Sequence, residues 1–348
     1  MIEASNSIVD PARPIIDPHH HLWDRRRAPA GGTDAHPFVR AIDLLPHYLL
    51  DAFLADVGSG HNVVGSVFIE CGAFYRAQGP AHMRPVGETE FVNGVAAMSA
   101  SGIYGSARLC AGIVAHADLM AGSAVRPVLE AHLAAAPERL RGIRHSAAWD
   151  ADPAVLGMLQ RAPATLLGDA LFRAGLAEVA ALGLSYDVWL LAPQLPALIA
   201  LARAMPHLSI VCDHLATPLG IGAHAGKRDA SFADWDANIR ALAACPNVAM
   251  KLGGLAMPFG GFASFMADPP ATAAMLADEW RPWVESAITA FGAERCMFES
   301  NFPVDRGTCD YRTLWNAFKL IAAGASETEK TALFSGTAAR VYRLALPN

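Results

Sequence analysis

The chain has 348 residues, of which 53% are hydrophobic and 17% charged, and its formal net charge is −6. So large an apolar fraction excludes a disordered chain, and the acidic balance, with no basic block beyond Arg25–Arg27, argues against a nucleic-acid-binding protein. The longest apolar region, 175–206, is broken by charged residues and prolines, so no membrane span is predicted.

Eight short apolar runs recur along the chain, and a helical pattern follows most of them. Their nearly continuous apolarity is typical of parallel strands that are covered on both faces. The first run continues through polar residues to about 21, and the last ends at about 303. The predicted strands are about 13–21, 62–70, 108–116, 139–145, 184–191, 207–214, 247–254 and about 295–303.

The segments between these runs show helical spacing, often with Ser, Asp or Pro at the start and Gly or Pro at the end. Two long loops are expected, at 22–47 and 254–277, and long loops after barrel strands usually shape a site. The predicted helices are 88–100, 125–138, 171–183, 195–206, 231–246 and 278–292, with C-terminal helices over 313–344.

Eight strand–helix units in one chain predict an α/β fold, a single-domain (β/α)8 TIM-type barrel that spans residues 1–348. An open, doubly wound sheet is the alternative. A doubly wound sheet that binds a dinucleotide has a glycine-rich fingerprint after its first strand, and this chain has none there. No linker divides the chain.

The ends of the predicted strands carry an unusual set of polar side chains. In a barrel of this kind, functional residues project from the carboxyl ends of the strands, so we expect these side chains to meet at one mouth. The set comprises Asp17, His19, His21, Glu70, His116, Arg144, His145, Asp213, His214, Lys251, Glu299 and Asn301.

The first strand ends in three consecutive histidines, within the sequence IIDPHHHLWD at 15–24. Side chains alternate along a strand, so His19 and His21 point to one side and His20 to the other. Two imidazoles two residues apart can face one ion or one water. A single buried histidine is usually structural, but an H-x-H pair at the end of a barrel strand favours a functional site.

Five motifs together resemble those of the amidohydrolase superfamily, in the branch that holds 2-pyrone-4,6-dicarboxylate lactonase and L-fuconolactonase. They are DPHHH at 17–21, RLRGIRH at 139–145, VCDHLATP at 211–218, AMKLGGL at 249–255 and MFESNFPVD at 297–305. Each motif is modest alone, but their order and spacing extend the resemblance over nearly the whole chain.

The resemblance implies a distorted barrel and the hydrolysis of a lactone, ester or amide. Some members of the superfamily decarboxylate or hydrate instead. It also implies one divalent metal, often Zn²⁺, although lactonases of this branch include members that work without one. By position, His19, His21 and His214 match metal-binding histidines, and Arg144 matches an arginine that binds a substrate carboxylate. An occupied zinc site and a metal-free site both remain open.

The chain departs from the family pattern at Asn301, where the strand-eight aspartate is usual. An amide cannot accept a proton at neutral pH. Glu299 lies on the same side of the strand, and we hypothesise that it supplies the missing carboxylate, with burial raising its pKa to suit a general base. The alternative is an internal ion pair between Glu299 and either Lys251 or Arg144.

These residues predict a hydrolase that opens a small acidic lactone or related cyclic ester. Glu299, Asn301, His214, His19 and His21 are its catalytic candidates. The alternatives are a lyase that acts on an aromatic-derived carboxylic acid and an inactive binding barrel. The candidates for binding the substrate are Arg144, His145, Lys251, Glu70, His116 and Trp23.

The cysteines and the N-terminal residues bear on the compartment. The six cysteines include no C-x-x-C pair, and the first residues do not read as a signal peptide. A reduced, cytoplasmic protein is therefore expected, without nucleic-acid or membrane partners. No pattern in the sequence decides between a monomer and a homo-oligomer.

Overall fold

The computed structural model describes residues 7–27 and 35–345. Within them, eight parallel strands form one sheet in which every strand pairs with its neighbours in chain order. The strands are β1 (Ile15–His20), β2 (Val63–Ile69), β3 (Arg108–His116), β4 (Leu140–Arg144), β5 (Ser185–Val188), β6 (Ile210–Cys212), β7 (Val248–Leu252) and β8 (Cys296–Phe298).

The sheet closes on itself where the residues after β8 meet the end of β1. Asn301 donates its backbone N–H to the carbonyl of His19 at 2.9 Å, and His21 donates to the carbonyl of Phe302 at 2.8 Å. The predicted (β/α)8 barrel is therefore confirmed, and the open doubly wound sheet is excluded.

Helices connect the strands, and several begin at a residue whose side chain accepts a backbone N–H, as Asp169 does from Leu171 and Phe172. The helices are α1 (Pro37–Asp43), α2 (Leu50–Val57), α3 (Val86–Ala100), α4 (Arg126–Ala135), α5 (Pro153–Leu156), α6 (Ala170–Ala181), α7 (Leu195–Ala204), α8 (Arg228–Ala243), α9 (Ala273–Phe291), α10 (Tyr311–Ile321), α11 (Glu327–Thr331) and α12 (Thr337–Val341).

Three details differ from the prediction. The loop predicted at 22–47 contains α1 and one strand pair, Trp23–Asp24 with His47–Tyr48, while its residues 28–34 lie outside the described residues. The helix α2 was not predicted. The last predicted helix is divided by a π-turn at Ala332–Gly336, where Leu333 and Phe334 are buried.

The main core lies between the outer face of the sheet and the helices, and a second, smaller core fills the inside of the barrel. Inward residues such as Ile16, Val211 and Met297 pack there against Tyr342, which directly follows α12. Val341 lines a cleft with residues that lead into β6 and β7, so the C-terminal segment covers the amino ends of the strands. The carboxyl ends remain available for a site.

Two further features concern the chain as a whole. In the part of the chain that the structure describes, no helix combines the length and the apolarity that crossing a bilayer would require. All six cysteines are free thiols, and five of them are buried.

Candidate active site

The carboxyl ends of β1, β6 and β8 bring together two imidazoles and a carboxylate. Glu299 Oε1 accepts a hydrogen bond from His214 Nδ1 at 2.6 Å, and Glu299 Oε2 lies 2.8 Å from His19 Nδ1. The two rings are 4.5 Å apart between centroids, and all three residues are buried. Residues that are far apart in the sequence thus form one compact cluster, which we call the His–Glu–His clamp.

Two glycines after β7 make room for this clamp. A Cβ on Gly253 would lie 2.4 Å from the Cγ of Glu299, and a Cβ on Gly254 would lie 2.6 Å from the ring of His214. Gly254 also has a φ of +68°, a conformation that L side chains rarely adopt. The Gly-Gly pair in AMKLGGL is therefore required by the close approach of the two functional side chains.

The backbone at the end of β6 is strained. His214, Leu215, Ala216 and Thr217 have φ values of 57°, 54°, 57° and 45°, so four consecutive residues other than glycine occupy the left-handed region. Each costs roughly 1 kcal/mol or more, and such strain clusters at functional sites. The turn keeps His214 over Glu299, because the backbone N–H of His214 also donates to Glu299 Oε1 at 3.1 Å.

The contacts of the clamp fix the proton of His214 but leave that of His19 open. Glu299 Oε2 lies 2.8 Å from His19 Nδ1 and favours a proton there, whereas the Lys251 ammonium, 3.1 Å from the same nitrogen, can only donate to it. His19 Nε2 accepts from Arg144 Nη1 at 3.4 Å. His214 donates from Nδ1, so its Nε2 carries a free lone pair when the ring is neutral.

The prediction that burial raises the pKa of Glu299 is wrong. Burial alone acts in that direction, but the neighbouring imidazoles of His214 and His19 outweigh it and lower the pKa of Glu299 to about 2. The carboxylate is therefore a stable anion that accepts a hydrogen bond from His214 and lies beside the ring of His19. The alternative ion pair is also absent, since neither Lys251 nor Arg144 pairs with Glu299 among the described residues.

A layer of charged groups lies next to the clamp, inside the barrel. Lys251 Nζ lies 3.0 Å from Asp213 Oδ1 and 3.1 Å from Asp187 Oδ2, and all three side chains are fully buried. Burial raises the pKa of the Asp213 carboxyl, but Lys251 and then His19 lower it well below its usual range. Lys251 was expected to contact the substrate, yet its ammonium is held between two carboxylates.

Sequence reasoning placed Asp213 among the polar strand ends but gave it no role, and it did not select Asp187. Asp213 directly precedes His214 at the end of β6, and Asp187 lies within the apolar run of β5. A carboxylate inside an otherwise apolar strand is itself a signal, because it has to be paired to be buried. That signal predicts a buried partner, although it does not identify which cation provides it.

Arg144, at the end of β4, faces the clamp from another side. Its Nε donates to Glu70 Oε1 at 2.8 Å, and its Nη2 donates to the carbonyl of Glu70. Burial alone lowers the pKa of Arg144, but the negative charges of Glu70 and then Asp213 raise it by more. The pKa therefore lies above its usual value, and the guanidinium is always charged. The structure thus brings the predicted residues Arg144 and Glu70 together as an ion pair.

His21 and Trp23 form the wall beside the clamp. His21 Nδ1 contacts the carbonyl of Ile69 at 2.8 Å, and its ring meets that of His19 edge-on at 4.9 Å. The Trp23 ring lies nearly parallel to His21 at 6.1 Å. Burial, followed by the positive charge of a protonated His19, lowers the pKa of His21 well below its usual value. His20 points the other way, as strand alternation predicts, and contacts Ser66 Oγ at 2.9 Å.

The remaining candidates lie apart from the clamp. His116 and His145 pair with each other at 5.5 Å, and His116 Nδ1 contacts the carbonyl of Arg144 at 3.0 Å. Asn301 donates its side-chain amide to Asp305 Oδ1 at 2.7 Å. Burial raises the pKa of Asp305 well above its usual range. Asn301 and Asp305 therefore form their own buried pair, and among the described residues the Asn301 side chain makes no hydrogen bond to the clamp.

The donor set next to the clamp suits a divalent cation. His19, Asp213 and His214 each offer a ligand atom, and these atoms lie within 4.8 Å of one another. Both Asp213 oxygens and Glu299 Oε2 are buried without hydrogen-bond geometry to any described residue. Histidine nitrogen and carboxylate oxygen are ordinary zinc ligands. This group contains Asp213 in addition to His19 and His214, two of the three histidines predicted from the sequence, and the role of His21 as a ligand stays a prediction.

The charge balance points the same way. Four carboxyl groups surround the site, and among the described residues two fixed cations accompany them, Arg144 and Lys251. A buried excess of negative charge is costly unless protons or a cation compensate it. The four carboxyl groups belong to Glu70, Asp187, Asp213 and Glu299.

Comparison with known proteins places this site in context. The family model described as "Amidohydrolase" matches residues 16–344. The uncharacterized protein y4mH of Sinorhizobium fredii is 34% identical over 95% of this chain and 98% of its own length. The L-fucono-1,5-lactonase of Burkholderia multivorans is 29% identical over 95% of this chain and 97% of its own.

A solved structure supports the same comparison. The crystal structure of an amidohydrolase from Burkholderia multivorans with bound zinc superposes with a TM-score of 0.69 at 27% identity. It covers 95% of this chain and 99% of that one. The similarity therefore extends over the whole barrel and is not confined to one motif.

Proposed function

Because the chain belongs to the amidohydrolase family, we propose that it is a hydrolase that opens a small lactone ring with water. The observation that carries this proposal is the His–Glu–His clamp. Glu299 fixes the proton of His214 on Nδ1, and Nε2 of that ring has no hydrogen-bond partner among the described residues. A neutral imidazole held in this way by a carboxylate is the usual arrangement of a general base.

The chemical step follows from this arrangement. His214 Nε2 takes a proton from water, and the water oxygen bonds to the lactone carbonyl carbon. The carbonyl electrons move onto its oxygen, which becomes an oxyanion. When the carbonyl re-forms, the ring C–O bond breaks and the leaving alkoxide takes the proton back from His214. The product is an open hydroxy acid, and the enzyme is unchanged.

Arg144 is the group that stabilises charge in this step. Its Nη1 lies 3.4 Å from His19 Nε2, so its donors reach the same side of the clamp. A preorganised donor aimed at an oxyanion typically contributes about 3–4 kcal/mol to lowering the barrier. A metal held by His19, Asp213 and His214 would act as a Lewis acid on the carbonyl oxygen, and it would occupy Nε2 of His214, so that nitrogen serves as the base only in the metal-free site.

The charge of the substrate is the finer part of the proposal. The sequence predicts an acidic lactone that Arg144 would clamp. The guanidinium is already paired with Glu70, and Asp213 lies 3.6 Å from it, so a substrate carboxylate has to displace Glu70. An uncharged lactone meets no such cost. We therefore expect uncharged lactones to be better substrates than acidic ones. The similarity to the L-fucono-1,5-lactonase also favours this order.

The test is a panel of matched neutral and acidic 1,5-lactones assayed in H₂¹⁸O. We expect ring opening with one ¹⁸O in the new carboxylate, and loss of activity in His214→Asn. His224→Asn is the matched control, because His224 also contacts a carboxylate, Asp150, at 3.1 Å outside the clamp. Release of CO₂ from an aromatic acid would identify the lyase alternative, and binding without turnover would identify an inactive barrel.

A further inference from the structure

The residue that follows α12 reaches from the closed end of the barrel towards the clamp. Tyr342 is fully buried, and its ring packs among inward side chains of the strands, including Val211 and Met297. Its hydroxyl donates to Asp187 Oδ2 at 2.5 Å. A tyrosine from the last helix thus makes a polar contact inside the barrel, with the layer of charges that supports the site.

This contact begins a continuous column of polar groups. Asp187 Oδ2 also accepts from Lys251 Nζ at 3.1 Å, and the same ammonium lies 3.0 Å from Asp213 Oδ1. The Lys251 ammonium is 5.5 Å from the centre of the Tyr342 ring, within the range of a cation–π contact. His19 Nδ1 lies 3.1 Å from the Lys251 ammonium and 3.6 Å from Asp213 Oδ1, which places the column against the clamp.

The position of the Lys251 ammonium depends on how strongly each carboxylate attracts it. Asp187 shares its negative charge among three donors, Lys251, Tyr342 and Ser185 Oγ, the last at 2.9 Å. Without the Tyr342 hydroxyl, Asp187 would attract the ammonium more strongly and draw it away from Asp213. A low local dielectric strengthens this competition.

We propose that Tyr342 and Asp187 are positioning residues of the active site. They hold Lys251 between its two carboxylates and beside His19 Nδ1, and so set the field that Lys251 and Asp213 together exert on His19. This inference rests on the proposed lactone hydrolysis only for its kinetic test, since the column itself is a property of the fold. The C-terminal segment then covers the barrel end and also positions groups of the active site through Asp187 and Lys251.

The experiment compares Tyr342→Phe with Tyr48→Phe. Tyr48 is the matched control, because it is equally buried and its hydroxyl donates to a carboxylate, Asp56 Oδ2, at 2.7 Å, outside the column. We expect both variants to lose similar stability in urea. Only Tyr342→Phe should lower kcat, by roughly 10- to 100-fold as for other groups that orient a site, with KM within about twofold.

A second readout does not depend on turnover. Imidazole ¹⁵N shifts of labelled protein, assigned with a His19→Asn variant, report the surroundings of His19 directly. We expect Tyr342→Phe to move the His19 signals and Tyr48→Phe to leave them in place. Asp187→Asn should move them in the opposite direction, because it releases the ammonium towards Asp213, and it serves as the test if Tyr342→Phe does not fold.

The outcomes separate the two proposals. Equal kcat losses in both tyrosine variants, or unmoved His19 signals in Tyr342→Phe and Asp187→Asn, would overturn the positioning role. Absence of lactone turnover in the wild-type protein would instead count against the proposed function. The imidazole shifts would then decide the positioning role alone.

Discussion

Replacement of Glu299 by glutamine probes the clamp directly. Glu299 Oε1 accepts from the Nδ1–H and the backbone N–H of His214, and Glu299 Oε2 lies 2.8 Å from His19 Nδ1. A glutamine side chain offers one acceptor oxygen and one donor NH₂. The oxygen should stay on the His214 side, where two donors converge, so the NH₂ would face His19 Nδ1.

The magnitude follows from the lost contact. His19 Nδ1 then loses the carboxylate charge at 2.8 Å and faces an NH₂ donor beside the Lys251 ammonium. This removes one contact with a charged group, worth about 1.5–3 kcal/mol. At about 1.4 kcal/mol for each tenfold change, kcat/KM should fall by roughly 10- to 100-fold.

The assay is steady-state hydrolysis of the best lactone from the panel, with unfolding in urea measured in parallel. Glu279→Gln is the control, since Glu279 accepts from Ala263 N at 2.9 Å and from Ser264 Oγ at 2.5 Å outside the clamp. Unchanged kcat/KM in Glu299→Gln would refute the orienting role. A loss well beyond about 10³-fold, in the range of a removed general base, would make Glu299 the base itself.

Three further predictions concern stability and metal. Lys251→Met leaves two buried carboxylates without their cation and should lower the free energy of unfolding, measured in urea, by about 3–5 kcal/mol. The control Lys330→Met removes an exposed ion pair and should lower it by less than about 1 kcal/mol. Similar losses in both variants would contradict the buried pairing. Burial lowers the pKa of His132 to about 4, so the unfolded chain takes up a proton first and stability falls as pH drops from about 6.5 to about 4. Urea titrations at each pH should show this slope reduced by up to about 1.4 kcal/mol per pH unit in His132→Gln, and an unaltered slope would exclude the effect. Asp213→Asn should lower the zinc content of protein purified from zinc-supplemented medium, measured by elemental analysis, and an equal content would remove Asp213 from the ligand set.

The sequence determined the architecture and the location of the site. Eight apolar runs predicted eight strands, and each observed strand lies within its predicted range. Local patterns suffice here, because a strand buried on both faces has to be apolar along its length. The position of polar residues at strand ends then predicted the mouth of the barrel, where His19, His214 and Glu299 do meet.

Only the tertiary structure decided which groups pair and how each is charged. Burial of Glu299 was foreseen from its strand, but the direction of its pKa shift depends on two imidazoles from β1 and β6 at less than 3 Å. Tyr342 is separated from Asp187 by 155 residues, so no local pattern links them. Hydrophobic patterning tolerates errors of a residue or two, so the strands could be predicted from the sequence. Electrostatic energies change steeply over an ångström, so the ion pairs and the pKa shifts could be read only from the tertiary structure.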